Sequence, residues 1–261
     1  MNSIEIVELH KRYRNSKDAI RELTLSIPYG TLFGLIGPNG AGKSTIINVL
    51  AGTVQRTAGR IFMLGREILR DDYQYKKEIG FVLDQAMFLE KLTTEEFLKF
   101  VGLLQGMSER EVIGRMNEIL AFLSLEEKRN EWIDTLSAGM KKKVSLAAAI
   151  IHQPKLLILD EPLESIDPVS GKQIKEMLRQ MANKGITVFL SSHNLETVES
   201  LCDEVAIINK GRLVFQSRTE DIRRKIKNEV SKETYQSLEE IFLDVVSGNG
   251  GEHSPRKLSW L

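Results

Sequence analysis

Gly37-Pro38-Asn39-Gly40-Ala41-Gly42-Lys43-Ser44 is the stretch whose reading decides the fold. It fits the pattern G-x-x-x-x-G-K-[ST], and its flanks supply the context that the pattern needs. Residues 31–36 form a short apolar run that leads into the glycines. Residues 43–50 then carry helix-like spacing, with Gly52 placed to end the helix. Glycines let a backbone wrap closely and point its N–H groups at phosphate oxygens. A helix that opens near Lys43 offers its positive end to the same anion. Lys43 is spaced to reach the β- and γ-phosphates, and the Ser44 hydroxyl, followed by Thr45, to ligate Mg²⁺. The alternative is a glycine-rich turn that binds nothing, and the specified glycines, lysine and serine stand against it. The motif specifies a nucleoside triphosphate and leaves its use open.

Around this loop the chain alternates strands and helices. Residues 4–13, 23–28 and 59–64 read as strands, the first two with partial alternation. Residues 156–159 and 186–191 are almost continuously apolar, which suits parallel strands buried on both faces. Asp167-Pro168 is an N-cap and first-turn pair, with Ile174, Met177, Leu178 and Met181 as the apolar stripe that follows. Residues 204–209 and 212–215, joined by Lys210-Gly211, read as a hairpin. Between about 85 and 150 the character is helical. Thr93-x-x-Glu96 and Ser108-x-x-Glu111 fit capping boxes. Phe97, Phe100, Val101 and Leu104 share one predicted face of the first helix, and Val112, Met116, Ile119 and Leu123 one face of the second. From 219 the chain is helical and charged. Ser237 opens a last amphipathic helix with Leu238, Ile241, Phe242 and Val245 in line, and 248–261 reads as a mobile tail. The expected fold is α/β, a P-loop NTPase with a mostly parallel sheet core, an antiparallel β subdomain and a helical insert. The expected division is 1–218 and 219–261.

Composition narrows the function. The 261 residues are 42% hydrophobic and 28% charged, with zero formal net charge. A general nucleic-acid binder would show a basic excess. The lone cysteine, Cys202, excludes an internal disulfide and reads as a small buried hydrophobe. No apolar run approaches the ~18 residues of a membrane span. Residues 1–8 alternate and contain acids, unlike a signal peptide. Service to a membrane is therefore expected from the cytoplasmic side, through a partner.

The run 156–159 delivers Asp160 and Glu161 to the end of a buried strand, where ligands sit in open α/β sheets. Asp160 can hold Mg²⁺ there, and Glu161 can polarise an attacking water. The competing reading makes this pair an N-terminal cap for a helix at Pro162. His193, after the strand 186–190, is placed to contact the γ-phosphate. His10, His152 and His253 lack such context and read as structural.

With these motifs in this order, residues from about 4 to 217 resemble the ATP-binding cassette family. Leu136-Ser137-Ala138-Gly139-Met140 is similar to its signature, usually Leu-Ser-Gly-Gly-Gln. Ser165-Ile166-Asp167 looks like the D-loop, His193 falls at the switch histidine, and Tyr13 falls at the aromatic that stacks on adenine. The resemblance implies an ATPase that powers a transporter as a dimer. Each ATP would lie between Lys43 of one chain and Ser137 and Gly139 of the other, a second copy or a homologous cassette. An integral membrane permease is the further partner implied, holding the chain at the inner face of the membrane; nucleic acid is not implied.

The sequence departs from the family at two places. Ala138 and Met140 replace glycine and glutamine in the signature. At the Q-loop, whose glutamine usually contacts Mg²⁺ and the permease, alignment puts Asp84, with Gln85 beside it, and either residue fits the role. Asp84, Lys141-Lys142-Lys143 and the 237–246 ending are most similar to single-cassette exporters of the drug- and bacteriocin-resistance kind, although the lysines also fit a solvated helix face. Among rivals, a GTPase would need an aspartate that Asn209-Lys210-Gly211-Arg212 lacks. A small-molecule kinase would need neither the signature nor Glu161 beside Asp160. A soluble cassette ATPase acting on a cytoplasmic partner complex keeps the same chemistry and is the alternative.

Overall fold

The computed structural model describes residues 1–14, 18–70, 72–84, 88–89, 91–223 and 237–247. In chain order, β1 (Asn2–Arg12) and β2 (Asp18–Pro28) pair antiparallel. Strand β2 begins earlier than its alternation predicts. Glu22 has φ 51, and the apolar spacing changes phase between Ile20 and Leu23. Such a bulge sets two residues opposite one and interrupts the period of two that marks a strand. There follow β3 (Leu32–Ile36), α1 (Lys43–Leu50), β4 (Ala58–Met63), β5 (Arg66–Glu67) and β6 (Ile79–Val82). Helices α2 (Thr94–Leu104), α3 (Glu109–Phe122) and α4 (Ala138–Ile150) come next, then β7 (Leu156–Asp160), α5 (Pro168–Asn183), β8 (Thr187–Ser192) and α6 (Leu195–Leu201). The hairpin β9 (Glu204–Asn209) and β10 (Arg212–Arg218) precedes α7 (Thr219–Arg223) and α8 (Leu238–Ser247).

Two sheets result. One is antiparallel, in the order β2-β1-β4-β5; the other runs β10-β9-β3-β8-β7-β6, parallel throughout except for β10. Successive side chains of a strand point to opposite faces. The central strands are apolar on both, so they divide between two cores. Leu157, Leu159, Val188 and Leu190 face the helices α4, α5 and α6, whereas Leu156, Ile158 and Phe189 face α1 and the antiparallel sheet. This is why 156–159 shows no alternation.

Both capping boxes form. Thr93 and Ser108 accept from the backbone N–H of Glu96 and Glu111, whose carboxylates accept in return. The predicted face of α2 is corrected, however. Thr94, Leu98 and Gly102 are buried, with Phe97 and Val101 packed beside them, while Phe100 and Leu104 are exposed. Gly102 has no side chain to count in a hydrophobic pattern, yet it meets Val112 of α3 and so draws the inward face towards itself. On α3 the predicted stripe of Val112, Met116, Ile119 and Leu123 packs inward. Leu238 and Ile241 of α8 are buried, and the Leu238 N–H donates to Glu199 of α6 at 3.3 Å. Cys202 is buried, which pushes its thiol pKa up. Burial lowers the pKa of His152. The proposed tail 248–261, with His253, lies outside the described residues.

Candidate functional site

The loop after β3 turns into α1 through Gly42, which has φ 116. A Cβ there would lie 2.9 Å from the Ala19 carbonyl oxygen as well as in a strained backbone region, so glycine is required on both counts. Helices α2 to α6 are each capped by a side chain: Thr93, Ser108, Ser137, Asp167 and Asn194. Helix α1 has no side-chain cap and no acid in its first turn. Its first N–H groups therefore remain for an outside acceptor, and an anion suits them. Lys43 is buried, and its ammonium donates back to the Gly37 carbonyl at 2.7 Å. Burial lowers its pKa, while Glu161 and Asp160 pull the other way.

The parallel register sets Asp160 beside Ser191. Asp160 is buried, and its Oδ1 accepts from Ser191 Oγ at 2.5 Å. Ser191 Oγ in turn accepts the N–H of Glu161 at 3.1 Å. The Lys142 ammonium donates to the Asp160 carbonyl at 3.2 Å. Glu161 stands at φ 46, a strained value that turns the chain sharply off the strand. Its Oε2 lies 3.1 Å from His193 Nδ1. The capping alternative for Asp160 and Glu161 is overturned, because 162–165 form a turn and the next helix, α5, starts at Pro168 under Asp167.

One cavity of about 590 Å³ gathers Asn39, Gly40, Ala41, Gly42, Lys43, Ser44, Thr45, Asp84, Glu161 and His193, together with Ala19 and Glu164. Gly37, Pro38 and Asp160 lie outside its lining, Gly37 and Pro38 being the acceptors of Lys43. Tyr13 is half-exposed under the Lys11 ammonium, 4.6 Å from the ring centroid, and does not line the cavity. Ser137 and Gly139 also stand apart from it, at the head of α4. Ala138 opens that helix with a negative φ, so the departure from glycine costs no strain. Gln85 lies outside the described residues. The oxygen donors Ser44, Asp84 and Asp160 suit a hard cation. No group of three or more His, Cys, Asp or Glu that could hold a metal exists among the described residues.

The sequence profile of the ABC transporter family matches residues 20–164. The chain belongs to the ABC transporter family. It is similar to the linearmycin resistance ATP-binding protein LnrL of Bacillus subtilis, at 35% identity over 89% of this cassette and 75% of that protein. The lantibiotic transport ATP-binding protein SrtF of Streptococcus pyogenes is 32% identical over 87% of the cassette and 97% of its own length. The solved structure of an ATP-binding subunit of an ABC transporter superposes with a TM-score of 0.83 at 29% identity, covering 93% of this chain and 98% of that one. The cassette is an ATPase subunit of a transporter.

Sequence reasoning missed Ser191, Lys142, Glu164 and Ala19. Nothing local marks Ser191; only the pairing of β7 with β8 brings it to Asp160. Lys142 and Lys143 correct the solvated-face reading of the lysines, since Lys142 reaches the Asp160 carbonyl and Lys143 is buried.

Proposed function

We propose that this cassette binds Mg·ATP in the cavity above α1, closes on a second copy or a homologous cassette, and drives a membrane-embedded export permease. The observation that carries the reading is the single cavity in which the uncapped start of α1, Lys43, Glu161 and His193 converge. Glu161 aligns water for in-line attack, with its carboxylate held by His193. Lys43 exchanges the Gly37 carbonyl for a phosphate oxygen, and the N–H groups of residues 39–45 hold the others. Ser44 and Asp160, with Asp84 or Gln85 in the Q-loop role, would hold Mg²⁺, which would supply charge neutralisation to the phosphates. Tyr13 flanks the adenine. Ser137 and Gly139, outside the cavity of their own chain, meet the γ-phosphate held by the partner. Such contacts exist only in the closed pair, so ATP shifts the population towards it.

Export by a separate permease rests on the relatives named for linearmycin resistance and lantibiotic transport. No helix among the described residues is long and apolar enough to cross a membrane. Attachment to the inner face then runs through residues 84–104. A cavity of about 720 Å³ lined by Phe81, Leu83, Phe88 and Phe97 opens there, and Phe100 and Leu104 of α2 are exposed. The chain divides as 1–218, with its insert near 85–150, and 219–261.

Glu161→Gln tests the chemistry. It should keep ATP affinity, abolish turnover and trap an ATP-dependent dimer; hydrolysis at the normal rate would remove Glu161 from its role. Affinity purification from native membranes tests the partner. A multi-spanning protein should be recovered, and charge reversals at 84–104 should release it. Recovery of soluble partners alone would favour a soluble cassette ATPase.

A further inference from the structure

Helix α4 carries a buried lysine that the ATP chemistry of its own chain does not use. The Lys143 side chain is 11% exposed. Its ammonium donates to Ser170 Oγ at 2.6 Å and lies 3.4 Å from Asp167 Oδ2. Asp167 is itself the N-cap of α5, accepting the Ser170 N–H at 2.9 Å. The lysine thus ties α4 to the residue that ends the 161–167 loop. It does not line the ATP cavity.

A second contact lies one turn earlier on the same face of α4, where residues i and i+4 meet. Gly139 abuts the loop so closely that a Cβ would fall 2.3 Å from the Ser165 carbonyl oxygen. Ser165 itself sits at φ 62, a conformation that its surroundings must enforce. A cavity of about 460 Å³ is lined by Ser165, Asp167, Lys172 and Thr197 and by no residue of α4. The loop is therefore fixed from the α4 side. A methionine would fill the place of Lys143 without burying an ammonium, which is costly unless the charge is paired. Lysine adds direction, because it accepts only an arrangement in which Asp167 and Ser170 both face α4.

We infer that Lys143 is a positioning residue that locks the head of α4 and the 161–167 loop into one rigid face, the face that a second cassette and its ATP meet. Residues Ser137 and Gly139 belong to that face, so the partner's site is complete only when the face is set. The inference rests on the dimer reading above.

The test places Lys143→Met in the Glu161→Gln background and compares two quantities: fluorescent ATP-analogue affinity at monomer concentrations, and ATP-dependent dimerisation by analytical ultracentrifugation. Analogue affinity should stay within about twofold, while the dimer dissociation constant rises roughly tenfold, as expected for one lost charged hydrogen bond. Lys143→Arg should restore most of the dimer. In the Glu161-containing protein, Lys143→Met should lower kcat with KM little changed. Equal dimerisation with and without the substitution would overturn the role of Lys143 alone. So would a fall of affinity in step with dimerisation, because damage would then be general. A Glu161→Gln protein that stays monomeric with ATP would overturn the dimer reading, and the role of Lys143 with it.

Discussion

The Ser191 hydroxyl holds Asp160 and Glu161 together, donating to the Asp160 carboxylate at 2.5 Å and accepting the Glu161 N–H at 3.1 Å. Asp160 is buried, so its acceptor has no water to replace a lost donor. Ser191→Ala should cost about 1–3 kcal/mol of stability, the range for a buried group left unpaired. The Mg²⁺ concentration for half-saturation of nucleotide binding should rise severalfold, read by fluorescence titration. Nucleotide affinity in EDTA should be unchanged. An unchanged Mg²⁺ midpoint would remove Ser191 from metal positioning.

His193 Nδ1 stands 3.1 Å from Glu161 Oε2 and its side chain is exposed, so His193→Ala removes an orienting contact without opening a core. Steady-state kinetics should show kcat reduced by about 10²–10⁴-fold, the span attributed to positioned acid–base groups, with ATP affinity within a fewfold. Loss of binding with retained turnover in the bound fraction would contradict it.

At the head of α4 two neighbours behave oppositely. Gly139→Ala drives a Cβ into the Ser165 carbonyl, only 2.3 Å away, and backbone has to move. An overpacking cost of about 1–3 kcal/mol is expected, with most ATPase activity lost. Ala138→Gly restores the residue usual in the family at a position of negative φ, and should lower stability by about 1 kcal/mol or less and leave activity near normal. Urea denaturation and ATPase rates on the pair check both. Equal effects would deny the close approach of Gly139.

Asp167 gives a pH dependence. The Ser170 N–H, then the Ser170 hydroxyl and Lys143, bring its carboxyl from 3.8 down to about 2. A lowered folded pKa means that the native state favours the ionised form. The contribution is complete above the unfolded value and is lost as pH falls from about 4 towards 2. Asn at an N-cap keeps the hydrogen bond but lacks the charge. The stability gap between the native protein and Asp167→Asn should hold from pH 7 to 5 and narrow by pH 3. A gap that stays constant to pH 3 would show the charge to be idle.

Much of this architecture was legible in residue order. Gly37 to Ser44, the run before Asp160 and the boxes Thr93/Glu96 and Ser108/Glu111 announce themselves because each acts over a few neighbouring residues. Such features need only local backbone geometry, and α1 begins at Lys43 as its spacing predicts. The early part of β2 was hidden by a bulge at Glu22, and the buried face of α2 by Gly102, which packs through the absence of a side chain.

What the sequence by itself determined is the nucleotide chemistry, since a phosphate loop and a strand-end carboxylate pair are written contiguously. Tertiary structure decided which distant groups meet around these motifs. Ser191 reaches Asp160 from a neighbouring strand, Lys143 reaches Asp167 from another helix, and Gly139 is pressed against Ser165. Residues far apart in the chain meet only when sheet register and helix packing are fixed. Those are set by two cores at once, and no local pattern in the sequence records them.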